Sequence, residues 1–215
     1  MAVSAADEYW NHNTHYHPLV LRGVPRGCRE ALDVGCGDGL LARRLAPHAG
    51  RVTGLDRSAE MIERARALTG DAAGVRFVES GLLEYDLPEA RYDFVCSVAA
   101  IHHMDFTAAL TAMRDAVRPG GTLVVIGLAN NAGLGDLLYS AAGVPAHHFH
   151  RFRNRRTAGD PGAPIADPDM TWAEVRDEAR RVLPGAAFRR RVLWRYSLVW
   201  RRPRRSPGHP GATSA

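Results

Sequence analysis

Short apolar runs alternate along this chain with segments whose apolar residues recur every three or four positions. Glu30–Gly35, Arg51–Asp56, Val75–Glu79, Arg91–Val98 and Thr122–Gly127 are runs rich in valine, leucine and phenylalanine, as expected of strands in a buried sheet. Between them, Leu40–Ala46, Ala59–Leu68 and Phe106–Val117 have helical spacing. In the second of these, Met61, Ile62, Ala65 and Leu68 share a face and Ser58 stands at the N-cap. Strands alternating with helices of this length predict a parallel sheet with crossover helices.

The pattern changes after Gly127. Residues 128–170 are rich in glycine, proline, histidine and arginine, and only Leu134–Ala142 reads as helical. So irregular a stretch inside a compact domain is a lid, a binding loop or partly disordered, and residues 130–170 are expected to be a substrate-covering lid. Thr171-Trp172-Ala173-Glu174 is a capping box that opens a helix to Leu183. Ala187–Leu193 and Tyr196–Arg201 read as two strands of an antiparallel hairpin, with the arginines of this region on an exposed face. Residues 1–29 read as a helical cap segment, 30–202 as the main domain and 203–215 as a disordered tail.

Length and composition narrow the classes. With 215 residues the chain suits one domain with a sizeable core. Cys28, Cys36 and Cys96 form no C-x-x-C pair and are odd in number, so reduced thiols and a cytoplasmic location are expected. No signal peptide opens the chain and no apolar run is long enough for a membrane helix, so no membrane partner is expected. The net charge is +5 and every basic residue other than histidine is arginine. Arg151–Arg156 and Arg189–Arg191 could grip phosphates. No RNA-binding module accompanies them, however, so a solvated basic surface is the preferred reading and nucleic acid is not the expected partner.

The chemistry lies in Leu32-Asp33-Val34-Gly35-Cys36-Gly37-Asp38-Gly39, followed one helix later by Val52-Thr53-Gly54-Leu55-Asp56. A strand ends in a carboxylate, glycines allow close backbone approach, and free amides at the next helix start can receive an anion. A dinucleotide fingerprint would need glycine at 40, which is Leu40. The run instead resembles the cofactor loop of class I S-adenosylmethionine-dependent methyltransferases. Tyr92-Asp93-Phe94-Val95-Cys96-Ser97 and Arg118-Pro119-Gly120-Gly121-Thr122-Leu123 resemble that family's fourth and fifth motifs. The resemblance spans roughly residues 28–127.

The resemblance implies an α/β fold, Rossmann-like and doubly wound, with a mostly parallel seven-stranded sheet and a C-terminal antiparallel strand. It implies S-adenosylmethionine as cofactor, with Asp33 toward the ammonium, Gly35, Cys36, Gly37 and Gly39 in the loop, and Asp56 toward the ribose hydroxyls. Arg57 and Met61 follow Asp56 in the cofactor set. Ser97 and Val98, where the fourth strand ends, belong toward the sulfonium, and Tyr16 and His17 come from the segment that closes over the cofactor. Adenine contacts fall near Gly81 and Leu82. Gly81 stands where the family often has an acid, so backbone groups there, Ser80 or Glu84 take that role.

Ile101-His102-His103-Met104 directly follows the fourth strand. Imidazole suits the acceptance of a proton from a hydroxyl or an ammonium, which makes His102 a candidate base and His103 a structural residue. The alternative, that His102 lines the cleft without chemistry, stays open. His12, His15 and His17, and His147, His148 and His150, lack supporting cysteines or a His-Glu-x-x-His frame. They read as solvated loop histidines, and no metal is expected. The acceptor implied is a small molecule methylated at oxygen or nitrogen. RNA or protein acceptors, or a protein that uses the cofactor for other chemistry, are the alternatives.

Overall fold

The structure, a computed structural model, describes residues 9–70, 74–132, 134–154 and 168–204. Seven strands form one sheet: β1 (Glu30–Val34), β2 (Arg51–Asp56), β3 (Val75–Glu79), β4 (Tyr92–Val98), β5 (Val117–Gly127), β6 (Ala187–Arg191) and β7 (Arg195–Arg201). Their order is β3-β2-β1-β4-β5-β7-β6. The pairings from β3 to β5 are parallel and the last two are antiparallel. The order in which strands are added to the sheet reverses between β1 and β4, and in open α/β sheets such a switch point opens a crevice at the carboxyl edge.

The helices are α1 (His17–Arg22), α2 (Leu40–Leu45), α3 (Ala59–Thr69), α4 (Phe106–Ala116), α5 (Leu134–Arg153) and α6 (Trp172–Val182). On one side of the sheet Leu110 and Met113 of α4 pack with Trp172, Val175 and Val182 of α6. On the other, Val20, Leu41, Leu45 and Ile62 close a second core layer. Each layer follows the helical spacing of its apolar residues. Asp93 on β4 ties the sheet's lower edge together. Its Oδ2 accepts the Arg29 and Glu30 amides at 2.9 and 3.1 Å, and its Oδ1 pairs with Arg118 at 2.8 Å.

Helix starts follow the capping residues. Ser58 Oγ accepts the Met61 amide, Asp105 Oδ1 accepts the Ala108 amide at 2.7 Å, and Thr171 with Glu174 forms a complete capping box. Most expected elements therefore stand within a residue or two of their sequence bounds. Arg118–Gly121, expected as a turn, lies inside β5, where the ladder to β4 slips between Tyr92 and Phe94. The strand expected to reach Leu193 stops at Arg191, and residues 192–194 form the hairpin turn.

The largest departure is α5, which runs through Gly143 and Pro145 to Arg153 instead of ending at Ala142. Proline inside a helix removes one backbone hydrogen bond. Here tertiary packing outweighs that local cost, because Gly143, His147 and His150 lie against Trp194 and the N-terminal segment. The rest of the expected lid, residues 155–167, and the tail from 205 lie outside the described residues. Among the described residues no helix is long and apolar enough to cross a membrane.

The α6 cap offers a direct stability test. Thr171→Ala removes a side-chain acceptor from the Glu174 amide and is expected to cost about 1 kcal/mol. Urea unfolding should show a lower midpoint with an unchanged slope; an unchanged midpoint would deny the cap any stabilising role.

Candidate functional site

A cavity of about 440 Å³ opens at the carboxyl edge of β1, β2 and β4, within the range of small-molecule sites. Its floor is the loop leaving β1. A Cβ on Gly35 would stand 2.1 Å from the Ala100 Cβ, so only glycine lets the β1 and β4 ends approach this closely. Gly37 has φ +51° and nothing within 4 Å of its Cβ position, leaving its backbone open to the cavity. Its amide donates to Asp56 Oδ2 at 2.8 Å, while Oδ1 of the same carboxylate accepts the Ser58 amide at 3.0 Å. Two backbone donors thus orient Asp56 and leave lone pairs for further donors.

Asp33 lies between Gly54 and Cys96 in the sheet and is 1% exposed. Cys96 Sγ donates to its Oδ1 at 3.6 Å, but Oδ2 is buried without a partner among the described residues. Burial, with smaller contributions from Asp56 and Asp38, lifts its pKa to about 7 against the downward pull of the Cys96 bond. A buried carboxylate so placed calls for a cation. Asp38 is a second buried carboxylate. Its Oδ1 accepts the Leu40 amide and the Tyr9 hydroxyl at 3.2 and 3.3 Å, and its Oδ2 has no partner among the described residues.

Eleven of the expected cofactor residues line this cavity: His17, Asp33, Gly35, Cys36, Gly37, Asp56, Arg57, Met61, Gly81, Leu82 and Val98. Three do not. Tyr16 is buried with its hydroxyl donated to the Val192 carbonyl, which fixes the N-terminal segment on the hairpin turn. Gly39 faces the Phe77 ring, 2.6 Å from where a Cβ would stand, and serves packing. Ser97 is wholly buried inside the sheet, with Oγ unpartnered among the described residues.

Two of the groups expected near the adenine differ in where they point. The Glu84 carboxylate folds back over Gly81, to within 1.9 Å of the position a Cβ there would occupy, and lines the cavity. Ser80 Oγ instead donates to the neighbouring Gly81 carbonyl.

Above the loop, Tyr9, Asn11, Asn13, Thr14 and His17 form a cover that the sequence reading largely missed. No local motif marks these residues; Asp38, a further lining residue, could have been found inside the glycine run. His17 is fully buried, and burial followed by Arg44 lowers its pKa to about 3. Arg44 donates to Nδ1 at 3.0 Å, which leaves the proton of the neutral ring on Nε2. Arg195, expected on an exposed strand face, is instead 8% exposed and donates to Asn13 Oδ1 at 2.7 Å.

The expected solvated histidines also differ. His12 Nε2 and His147 Nδ1 are 2.7 Å apart, and the His15 and His150 rings stack edge-on at 4.5 Å, so the two clusters join α5 to the cover. Burial is the first cause of the lowered pKa of His12, to about 4, and of His15.

His102 and His103 part company. His103 lines the first cavity, whereas His102 lines a second of about 180 Å³ with Phe106, Leu128, Met170, Val175 and Tyr196. Met104 borders both. His102 Nδ1 is buried and unpartnered among the described residues, and burial, then His103 and Arg195, lowers its pKa to about 4. At the wall of the first cavity Ala99 holds a left-handed φ of +54°, its amide donated to the Ile126 carbonyl at 2.8 Å. Backbone strain of this kind gathers at functional edges.

A family described as a methyltransferase domain matches residues 31–121. A protein of Mycobacterium tuberculosis, described as an uncharacterized methyltransferase, is 37% identical over 92% of this chain and 99% of its own length. The trans-aconitate 2-methyltransferase of Streptomyces avermitilis is 35% identical over 46% of this chain and 39% of its own. Among solved structures, an S-adenosylmethionine-dependent methyltransferase from Mesorhizobium loti superposes with a TM-score of 0.60. It is 20% identical, with 86% of this chain and 96% of that one covered.

The unpartnered Asp33 carboxylate predicts a pH dependence. An ammonium beside it holds it ionised, so affinity for an ammonium-bearing ligand is full above pH 7 and lost as pH falls through 7. Calorimetric titration with S-adenosylhomocysteine should weaken about tenfold from pH 8 to pH 6. Asp33→Asn should flatten the profile, and a flat profile in the unaltered protein would refute the assignment.

Proposed function

The chain belongs to the class I S-adenosylmethionine-dependent methyltransferases, and from that premise we propose that it methylates an oxygen or nitrogen of a small molecule seated in the second cavity. The observation that carries this reading is the pair of cavities sharing Met104, one with buried carboxylates and glycine backbone, the other small, walled by Phe106, Leu128, Met170, Val175 and Tyr196 around His102, with Asp105 and Asp169 also in its lining. The cofactor, when bound, supplies an already activated methyl group on a sulfonium.

The residues fit such a ligand. Asp33 offers an unpartnered carboxylate oxygen to its ammonium, and Asp56, oriented by two amides, offers acceptors to vicinal hydroxyls. Glu84, folded over Gly81, is the acid available to an adenine amino group. Val98 ends β4, and Ala99 and Ala100 follow it along the wall of the first cavity; we assign this edge to the methyl group.

What remains for the protein is to place the acceptor and take up its proton. Holding two reactants in line can supply roughly 7–11 kcal/mol of the barrier. Phe106, Leu128, Met170 and Tyr196 would grip an apolar acceptor body, and a volume of about 180 Å³ favours a small one over a nucleic-acid or protein surface. His102 is neutral at any ordinary pH, since its pKa lies near 4, and its free Nδ1 can accept a proton. So weak a base suits the low end of general-base catalysis, about 10²-fold.

Two variants separate the roles. Asp56→Ala should weaken S-adenosylhomocysteine binding at least tenfold by calorimetry, and unchanged affinity would refute the ribose assignment. His102→Ala should keep that affinity and lower methyl transfer about 10²-fold, read as transfer of a labelled methyl group to a panel of small hydroxyl and amine acceptors. Full activity in this variant would return His102 to the cavity wall. Transfer to RNA or protein with no small acceptor found would overturn the substrate class.

A further inference from the structure

The outer side of α5 has no role in the site. At 3.6 residues per turn, Val144, Ala141, Phe152, Pro145 and Phe149 lie on one side of this helix, with His148 between Val144 and Ala141. All are exposed, Phe149 by 62% and Phe152 by 70%. Two fully developed phenylalanines in water on one helix face are unusual for a soluble surface.

The charges flanking this stripe are of one sign. Arg151 falls on one edge and Arg153 on the other, with the Arg153 guanidinium 5.9 Å from the centre of the Phe149 ring. In sequence, residues 137–156 contain no aspartate or glutamate, and Arg155 and Arg156 extend the basic run. The only acid on the helix, Asp136, is paired with Arg190 at 2.5 Å. The opposite side is already occupied, with Gly143 beside Trp194 and His147 and His150 against His12 and His15. The stripe therefore faces away from the domain while its back holds the cover over the cavity.

An apolar stripe bordered by arginines is the pattern of a helix lying in a membrane interface, with rings in the acyl boundary and guanidinium groups at phosphate level. We infer that α5 seats its Phe149–Phe152 face on an anionic phospholipid surface, as a peripheral contact that brings the covered edge of the domain to the bilayer. The absence of a spanning helix has no bearing on a contact of this kind, which needs a hydrophobic face and basic flanks only. Charge complementarity selects anionic lipid over a neutral surface and over a second copy of this basic chain.

The test is flotation of the full chain with vesicles of phosphatidylcholine alone and of phosphatidylcholine mixed with phosphatidylglycerol. The expected result is flotation with the anionic vesicles, falling as salt is raised. Phe149→Ser with Phe152→Ser should reduce it by about tenfold or more. Arg151→Gln with Arg153→Gln should remove the preference for anionic lipid. Thermal melting monitored by circular dichroism checks that both double variants remain folded. Failure of the folded protein to float with either vesicle, or equal flotation with both, would overturn the inference. So would sedimentation showing a dimer that the phenylalanine variant dissociates, since a second copy would then cover the face.

Discussion

The close approach of Gly35 to Ala100 is the constraint on which the site depends. The ends of β1 and β4 diverge at the switch point of the sheet, and the loops leaving them must still touch to floor the crevice. With 2.1 Å between a notional Cβ and the alanine methyl, any side chain at 35 would push the two strand ends apart. Because they meet, the Gly37 amide reaches Asp56 across β2 and Asp33 is sealed under the loop. One missing methyl group thus couples the backbone path to the electrostatics of the pocket.

Buried carboxylates give the pocket its chemical character. Asp33 and Asp38 are 1% and 3% exposed, and each keeps one oxygen without a partner among the described residues. Leaving such groups unpaired costs stability, roughly 1–3 kcal/mol for a polar group and more for a charged one. A fold tolerates that cost where a ligand later satisfies the group. The histidines around the pocket run the other way. Burial first, then the Arg44 and Arg57 guanidinium groups, lowers the pKa of His17 and His103, which disfavours a competing imidazolium beside the carboxylates.

A three-part cover surrounds the pocket, and its parts are far apart in sequence. The segment from Tyr9 to His17 supplies the inner surface, α5 backs it through paired histidines, and the β6–β7 turn anchors both. That turn places Leu193 and Trp194 at left-handed φ values of +57°, a conformation disfavoured for bulky residues. Full burial of Leu193, and contacts of Trp194 with His12, His147 and Gly143, hold it there. The Tyr16 hydroxyl on the Val192 carbonyl and Arg195 on Asn13 complete the tie between the two ends of the chain.

Much of this was legible in the sequence, for a local reason. Strand and helix periodicity, the caps at Ser58 and Thr171, and the carboxylate–glycine run after β1 are encoded within a few residues of where they act. The fold class follows from them, and together with the family resemblance they point to eleven of the cavity-lining residues. The remainder depended on packing between distant segments. No local signal could continue α5 past Pro145, turn Tyr16 away from the pocket, bury Arg195, or bring His12 to His147 across 135 positions. Nor could it divide His102 from His103, adjacent in sequence yet in different cavities. A side chain's partners are set by the whole fold, because burial and charge are properties of what surrounds it, while the sequence alone determines only where the backbone turns and which face is apolar.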